Sequence, residues 1–204
     1  MATGTFTDSR DGNAYNWKTI GSNKWFLSNF KYMPYVYTVE DVLGDIWVYG
    51  YDGDDETQAA LTSNYGTYGC LYSADAAIDL CPEGCRLPTD ADWMDLERAL
   101  GMSWYESGIY FWRQTDDEGE ELKSSSGWLM DLNGTNTSTF TALPGGYRGE
   151  GAFSGLTSKA LFWTSSMMQG NRNAFMRMLS INQTGVYRLM WPTSCGLSVR
   201  YIVE

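Results

Sequence analysis

The chain has 204 residues, 43% of them hydrophobic and 15% aromatic, with 9 Trp, 14 Tyr and 22 Gly, a content that excludes a disordered segment and favours a turn-rich, β-containing fold. A single domain of this length buries roughly 70% of the surface its unfolded form exposes, enough for a real core. With 14 Lys and Arg against 25 Asp and Glu the formal charge is −11, and because the basic residues are scattered, nucleic acid and anionic lipid are not expected as partners.

In chain order, residues 5–32 read as a hairpin. Asp11-Gly12-Asn13 is a turn, Tyr15 to Ile20 a strand, Gly21-Ser22-Asn23 a second turn, and Lys24 to Leu27 the returning strand. Residues 33–69 are Tyr-rich and punctuated by glycine, which reads as a loop-rich insertion with one strand-like run from Asp45 to Tyr51. Tyr72 to Leu80 is a short helix capped by Ser73 or Asp75 and stopped at Cys81-Pro82-Glu83-Gly84. A second helix starts at the N-cap Thr89, has Asp92 at the capping-box position, places Trp93, Leu96 and Leu100 at helical spacing as core, and stops at Gly101.

Beyond Gly101, Trp104, Tyr105, Tyr110, Phe111 and Trp112 either line a groove or plug the base of a small β fold. The acidic runs 52–56 and 116–121 read as solvated loops. Phe140 to Arg148 is a strand running into a tight turn, with a further turn at 151–155.

The chain contains no histidine, which removes Ser-His-Asp and Cys-His nucleophile activation and most zinc sites. Cys70, Cys81, Cys85 and Cys195 lack the paired Cys-x-x-Cys knuckles of a four-cysteine zinc site. No catalytic residues, metal or cofactor are expected. No apolar run approaches the roughly 18 residues of a membrane span, and Met1-Ala2-Thr3-Gly4 leads straight into polar sequence, so no membrane insertion is expected.

The stretch 161–204 holds the candidate site. Strand-like framework at Phe162-Trp163, Gly185 to Arg188 and Gly196 to Arg200 surrounds Met167, Met168, Gln169, Arg172, Met176, Met178, Leu189, Met190, Trp191 and Cys195. These large, mostly apolar side chains sit among loop residues, a surface suited to contact. Strand alternation over Ala174 to Ile181 puts Met176 and Met178 on one face and Phe175, Arg177, Leu179 and Ile181 on the other. If the Leu179 face is core, the methionines look outward and join Leu189, Met190 and Trp191 in one exposed patch for a protein or glycan partner. The alternative is that these residues pack against a neighbouring subunit or against the 33–69 insertion.

The ordered set FTDSRDGNAY, Ile20-Gly21, Trp25, CPEGCRLPTDADWMDLERALG, LKSSSGW, FTALPGGYRG, FWTSS, NAF, GVYR and GLSVR resembles the Fibrobacter succinogenes major paralogous domain, a family similar to C-type lectin folds and to the formylglycine-generating proteins. The resemblance implies one α+β, C-type lectin-like, ligand-binding domain over 1–204, with paired terminal strands, two helices and a twisted antiparallel C-terminal sheet. It also implies a non-enzymatic receptor-binding role, displayed on a bacterial cell surface or phage virion, with 161–204 as a variable segment of the kind rewritten by diversity-generating retroelements. The alternative is a fixed-partner surface or structural domain of the same family. The family commonly has a cysteine where Tyr201 stands, paired with the one at Cys81, and a tryptophan where Cys85 stands. The calcium motifs Glu-Pro-Asn and Trp-Asn-Asp of sugar-binding lectins are absent, and only Cys195 remains near the C-terminus where the formylglycine-generating oxidases carry a reactive pair.

Overall fold

In a computed structural model, residues 2–168, 170 and 172–204 are described. The first half runs β1 (Thr3–Thr7), β2 (Ala14–Ile20), β3 (Asn23–Phe26), β4 (Ile46–Trp47), α1 (Glu56–Ala60), α2 (Ser63–Tyr68), β5 (Leu71–Tyr72), α3 (Ala74–Asp79) and β6 (Cys85–Arg86). Then come α4 (Asp90–Ala99), α5 (Trp104–Gly108), β7 (Phe111–Arg113) and α6 (Glu118–Leu122). The last third is strands: β8 (Gly145–Gly149), β9 (Ala152–Leu156), β10 (Lys159–Met167), β11 (Asn173–Ser180), β12 (Val186–Pro192) and β13 (Ile202–Val203).

The result is a mixed architecture of six short helices, among the described residues, and mainly antiparallel sheets. One sheet, ordered β1-β2-β3-β13-β6, joins the two ends of the chain through Ile202 opposite Trp25. The other is ordered β7-β12-β11-β10-β8-β9, and β4 pairs with β5 apart from both. In the second sheet β8 and β10 run parallel, with Ala160 opposite Gly146.

Local chemistry accounts for the two expected helices. The Ser73 hydroxyl accepts from the Ala76 N–H and caps α3. Thr89 and Asp92 form a reciprocal capping box at the start of α4, satisfying donors a helix end otherwise leaves open. The other four helices escape a periodicity reading because they are five or six residues long, too short to display a repeating apolar face. The run 116–121 is accordingly not all solvated loop: α6 buries Glu118, whose carboxylate accepts from the N–H groups of Thr115 and Asp116. Of residues 151–155, read as a turn, all but Gly151 belong to strand β9 (Ala152–Leu156).

Both faces of the six-stranded sheet are covered. Leu161, Trp163, Met176 and Met178 join Tyr15, Phe30, Tyr72, Tyr201 and the alanines of α3 in one apolar core. Ala160, Phe162, Leu179 and Val186 join Trp25, Trp93 and Leu96 in a second. That second core carries charge. Glu97, on α4, accepts from Arg113 at 2.8 and 2.9 Å and from Arg177 at 2.6 Å. Asp90 accepts from Arg177 at 2.7 Å and from Arg188 at 2.7 and 2.9 Å. Burial pushes the Asp90 carboxyl up, but the hydrogen bonds and charges of Arg188 and Arg177 outweigh it and hold the group below its ordinary value. Removing one member of such a buried network typically costs about 3–5 kcal/mol, because its partners are left charged and unpaired.

Arg200 is buried without a carboxylate. It donates to Asn29 Oδ1 and to the carbonyls of Phe26, Phe140 and Thr141, and burial pulls its guanidinium down to about 9. Where the resemblance implies a half-cystine, Tyr201 fills the core with its ring and donates its hydroxyl to the Ala77 carbonyl at 2.6 Å. Cys81 is a free thiol, as are Cys70, Cys85 and Cys195.

Candidate functional site

The sheet sorts the expected site residues into three groups. Met167 and Met168 are 43% and 47% exposed at the end of β10, and Arg172 is exposed just before β11. Gln169 lies outside the described residues. Leu189, Met190 and Trp191 are half-buried on β12.

Met176 at 0%, Met178 at 9% and Cys195 at 6% exposure are interior. The outward-facing reading of the two methionines is therefore corrected. It assumed a sheet with one wet face, common among antiparallel sheets, whereas β11 is covered on both sides. Nor do Met190 and Trp191 share a face. Trp191 opposes Ala174 and Leu189 opposes Met176, while Met190, one step out of phase, opposes Phe175.

What brings the remaining residues together is the insertion at 33–69. The loop Glu40 to Leu43, with Val42 76% and Leu43 83% exposed, lies beside the end of β12. A cleft of about 730 Å³ opens there, lined by Glu40 and Val42 from the insertion, by Tyr147 to Ala152 from the β8–β9 hairpin, and by Trp191, Pro192, Ser194 and Cys195. The Tyr147 and Trp191 rings pack at 5.4 Å between centroids, tilted by 56°. On one side the cleft adjoins a trough of about 370 Å³ that shares Trp191 and Pro192 and is lined also by Lys159, Met178, Tyr187, Leu189 and Met190. On the other it adjoins a hollow of about 240 Å³ holding Arg172, Asp45 and Asp75 and sharing Val42, Pro192 and Ser194. Arg172, Met178, Leu189, Met190, Trp191 and Cys195 thus border three neighbouring hollows that have Pro192 in common.

Arg148 builds the cleft rather than decorating it. Its guanidinium is buried and lies 4.5 Å over the Trp47 ring. It donates to the Val39 carbonyl at 2.9 and 3.0 Å, to the Asp41 carbonyl at 2.9 Å and to the Ser194 carbonyl at 3.3 Å. One side chain therefore ties the 39–41 stretch of the insertion to the sheet. Glu40, Val42, Tyr147, Arg148 and Glu150 were not among the residues expected from sequence. The one local signal was the Gly149-Glu150-Gly151 run between two strands, a hairpin tip.

The aromatic residues after Gly101 form a separate feature. Trp104, Tyr105, Tyr110 and Phe111 are 80%, 76%, 43% and 59% exposed and Trp112 is half-buried against the core, so the cluster lies mostly at the surface.

The thiols are poor nucleophiles. Burial pushes Cys70 and Cys85 up to about 12 and Cys81 up to about 11, and it also raises Cys195, partly offset by Trp191 and Arg148. Among the described residues, no group of three or more His, Cys, Asp or Glu is placed to hold a metal ion. No helix there is long and apolar enough to cross a membrane.

The family model described as the Fibrobacter succinogenes major domain matches residues 19–203. No curated protein and no solved structure matches the chain.

Proposed function

We propose, for a chain that belongs to the Fibrobacter succinogenes major domain family, a non-enzymatic, C-type lectin-like ligand-recognition domain that binds a protein or glycan on a cell surface. The observation that carries the reading is the cleft around Trp191. It is concave, it has two aromatic walls, and it is assembled from three separated stretches of chain held by Arg148. Ligand sites are typically such hollows, apolar with a few polar groups. Catalysis is not part of the proposal: the chain has no histidine and its thiols are held protonated by burial.

The exposed members of the C-terminal set, Met167, Met168 and Arg172, and the half-buried ones, Leu189, Met190 and Trp191, are the positions where a diversified segment would change, the first three at least cost to folding. Met176 and Met178 belong to the framework under this reading. A bacterial surface or phage virion is the proposed site of display.

The test is capture of ligands by the whole chain on arrays of glycans and bacterial surface proteins. Trp191→Ala abolishes capture while the melting temperature stays within a few degrees. A large loss of stability with unchanged capture makes the indole framework and rejects the reading. Sister genomes separate the two versions of the role. Differences confined to those six positions indicate diversification, and identity there indicates a fixed partner.

A further inference from the structure

Resting on that recognition reading, we propose that the cleft around Trp191 binds an organic cation, the ammonium or guanidinium of a Lys or Arg side chain presented by a partner protein. The charges in the cleft favour this class. Glu40 enters from the insertion loop and Glu150 from the tip of the β8–β9 hairpin, and both are exposed. Neither donates or accepts a side-chain hydrogen bond or ion pair among the described residues, so both carboxylates are open to a guest. Among those residues Arg148 is the single cation lining the cleft, and its guanidinium is committed to the carbonyls of Val39, Asp41 and Ser194. An anionic guest would meet two carboxylates and no unspent donor of that charge. The whole chain, at −11, adds to the field that draws a cation in.

The rings supply the second half of the site. The Tyr147 and Trp191 rings line the cleft with their centroids 5.4 Å apart, and a cation over an aromatic face is attracted by the ring quadrupole. Tyr147 already meets one: the Lys159 ammonium lies 5.8 Å from its centroid, on a residue that lines the neighbouring trough and not the cleft.

The backbone places Glu150 at a cost. Gly149 pairs with Ala152, so Glu150 and Gly151 are the two central residues of a hairpin turn, at φ of +51° and +77°. Asn or Gly is the residue that accepts the first of these positions readily, and a glutamate held there keeps its carboxylate at the cleft in spite of the left-handed strain.

The experiment follows the indole N–H resonance of Trp191 by NMR in the whole chain, assigned by its disappearance in Trp191→Phe, during titration with three neutral-backbone pentapeptides. The central residue of these is Lys, Arg or Gln. The Lys and Arg peptides shift the resonance saturably, the Gln peptide does not at the same concentration, and raised salt weakens the effect. Glu40→Gln combined with Glu150→Gln weakens the Lys peptide at least tenfold while the other indole resonances stay in place, because both carboxylates are exposed. Equal shifts from the Gln peptide, unchanged binding by the double variant, or no shift from any peptide each overturn the proposal. A parallel titration with a neutral oligosaccharide keeps the two readings apart. If the sugar shifts Trp191 and the cationic peptides do not, the recognition reading stands and the cation is wrong.

Discussion

The Arg148 guanidinium donates twice to the Val39 carbonyl, from Nε at 3.0 Å and Nη2 at 2.9 Å, and this pair joins residues 109 positions apart. A hairpin of the C-terminal sheet thereby fixes where the insertion loop sits. Arg148→Ala leaves the part-buried carbonyls of Val39 and Asp41 without this donor and removes the stack on Trp47. The expected cost is about 2–3 kcal/mol, or a drop in melting temperature of roughly 5–10 °C for a chain of this size. Arg148→Lys recovers only part of it, because one ammonium cannot reproduce the planar fork. Thermal melts of the two variants check the order, and a melting temperature unchanged in Arg148→Ala would show that the loop is held by other contacts.

Met176 and Met167 are both methionines of the same sheet, and the structure separates them completely. Met176 is wholly buried between Trp163 and Leu189 on the neighbouring strands, whereas Met167 is 43% exposed. Met176→Ala removes a side chain from a close-packed core and should cost about 2–5 kcal/mol, while Met167→Ala stays within about 0.5 kcal/mol. Denaturant unfolding at constant m-value reads both. Equal costs at the two positions would contradict the burial that moves Met176 out of the site.

Sequence pattern made the frame legible wherever a short-range rule decides the conformation. The Thr89–Asp92 capping box and the Ser73 cap each depend on neighbours within a few residues and occur where the pattern put them, while Asp11-Gly12-Asn13 is the second half of a loop that runs from Asp8 to Asn13. The face assignment of β11 depended instead on a distant fact, whether a second layer covers the sheet. A local clue existed in Leu161-Phe162-Trp163, three consecutive apolar residues of which none is exposed, since a strand buried on both sides reads as an unbroken apolar run and not as an alternation. Applied to β10, that clue would have placed Met176 and Met178 inside, through their pairing with Trp163 and Leu161.

The cleft was less legible because its walls come from three places. Trp191 and Cys195 were singled out by residue type, but Glu40 and Arg148 gain meaning only from a contact across 109 positions, Arg148 with Val39. The buried pairs of Arg177 and Arg188 with Asp90 and Glu97 were hidden for the same reason. In sequence, Asp90 is an acid in the first turn of a helix, where it needs no further explanation, and its arginines lie 87 and 98 residues away.

Acid should loosen the fold at the start of α4 first. Burial pushes the Asp92 carboxyl up, but bonds from Arg86 and from the Thr89 hydroxyl and N–H more than offset it, taking the group from 3.8 to about 2. A carboxyl held lower in the folded chain than in the unfolded one makes the unfolded state bind more protons as pH falls, so its contribution is complete above about pH 4 and is lost between about 4 and 2. Asp90 and Asp8, also held below the ordinary value, act in the same direction. Asp92→Asn removes this group from the titration. Its stability should be lower than that of the parent chain at pH 7 and should fall less steeply between pH 4 and 2. Urea unfolding at a series of pH values measures both slopes, and parallel slopes would mean that the bonds to Arg86 and Thr89 do not hold the Asp92 proton off in the folded chain.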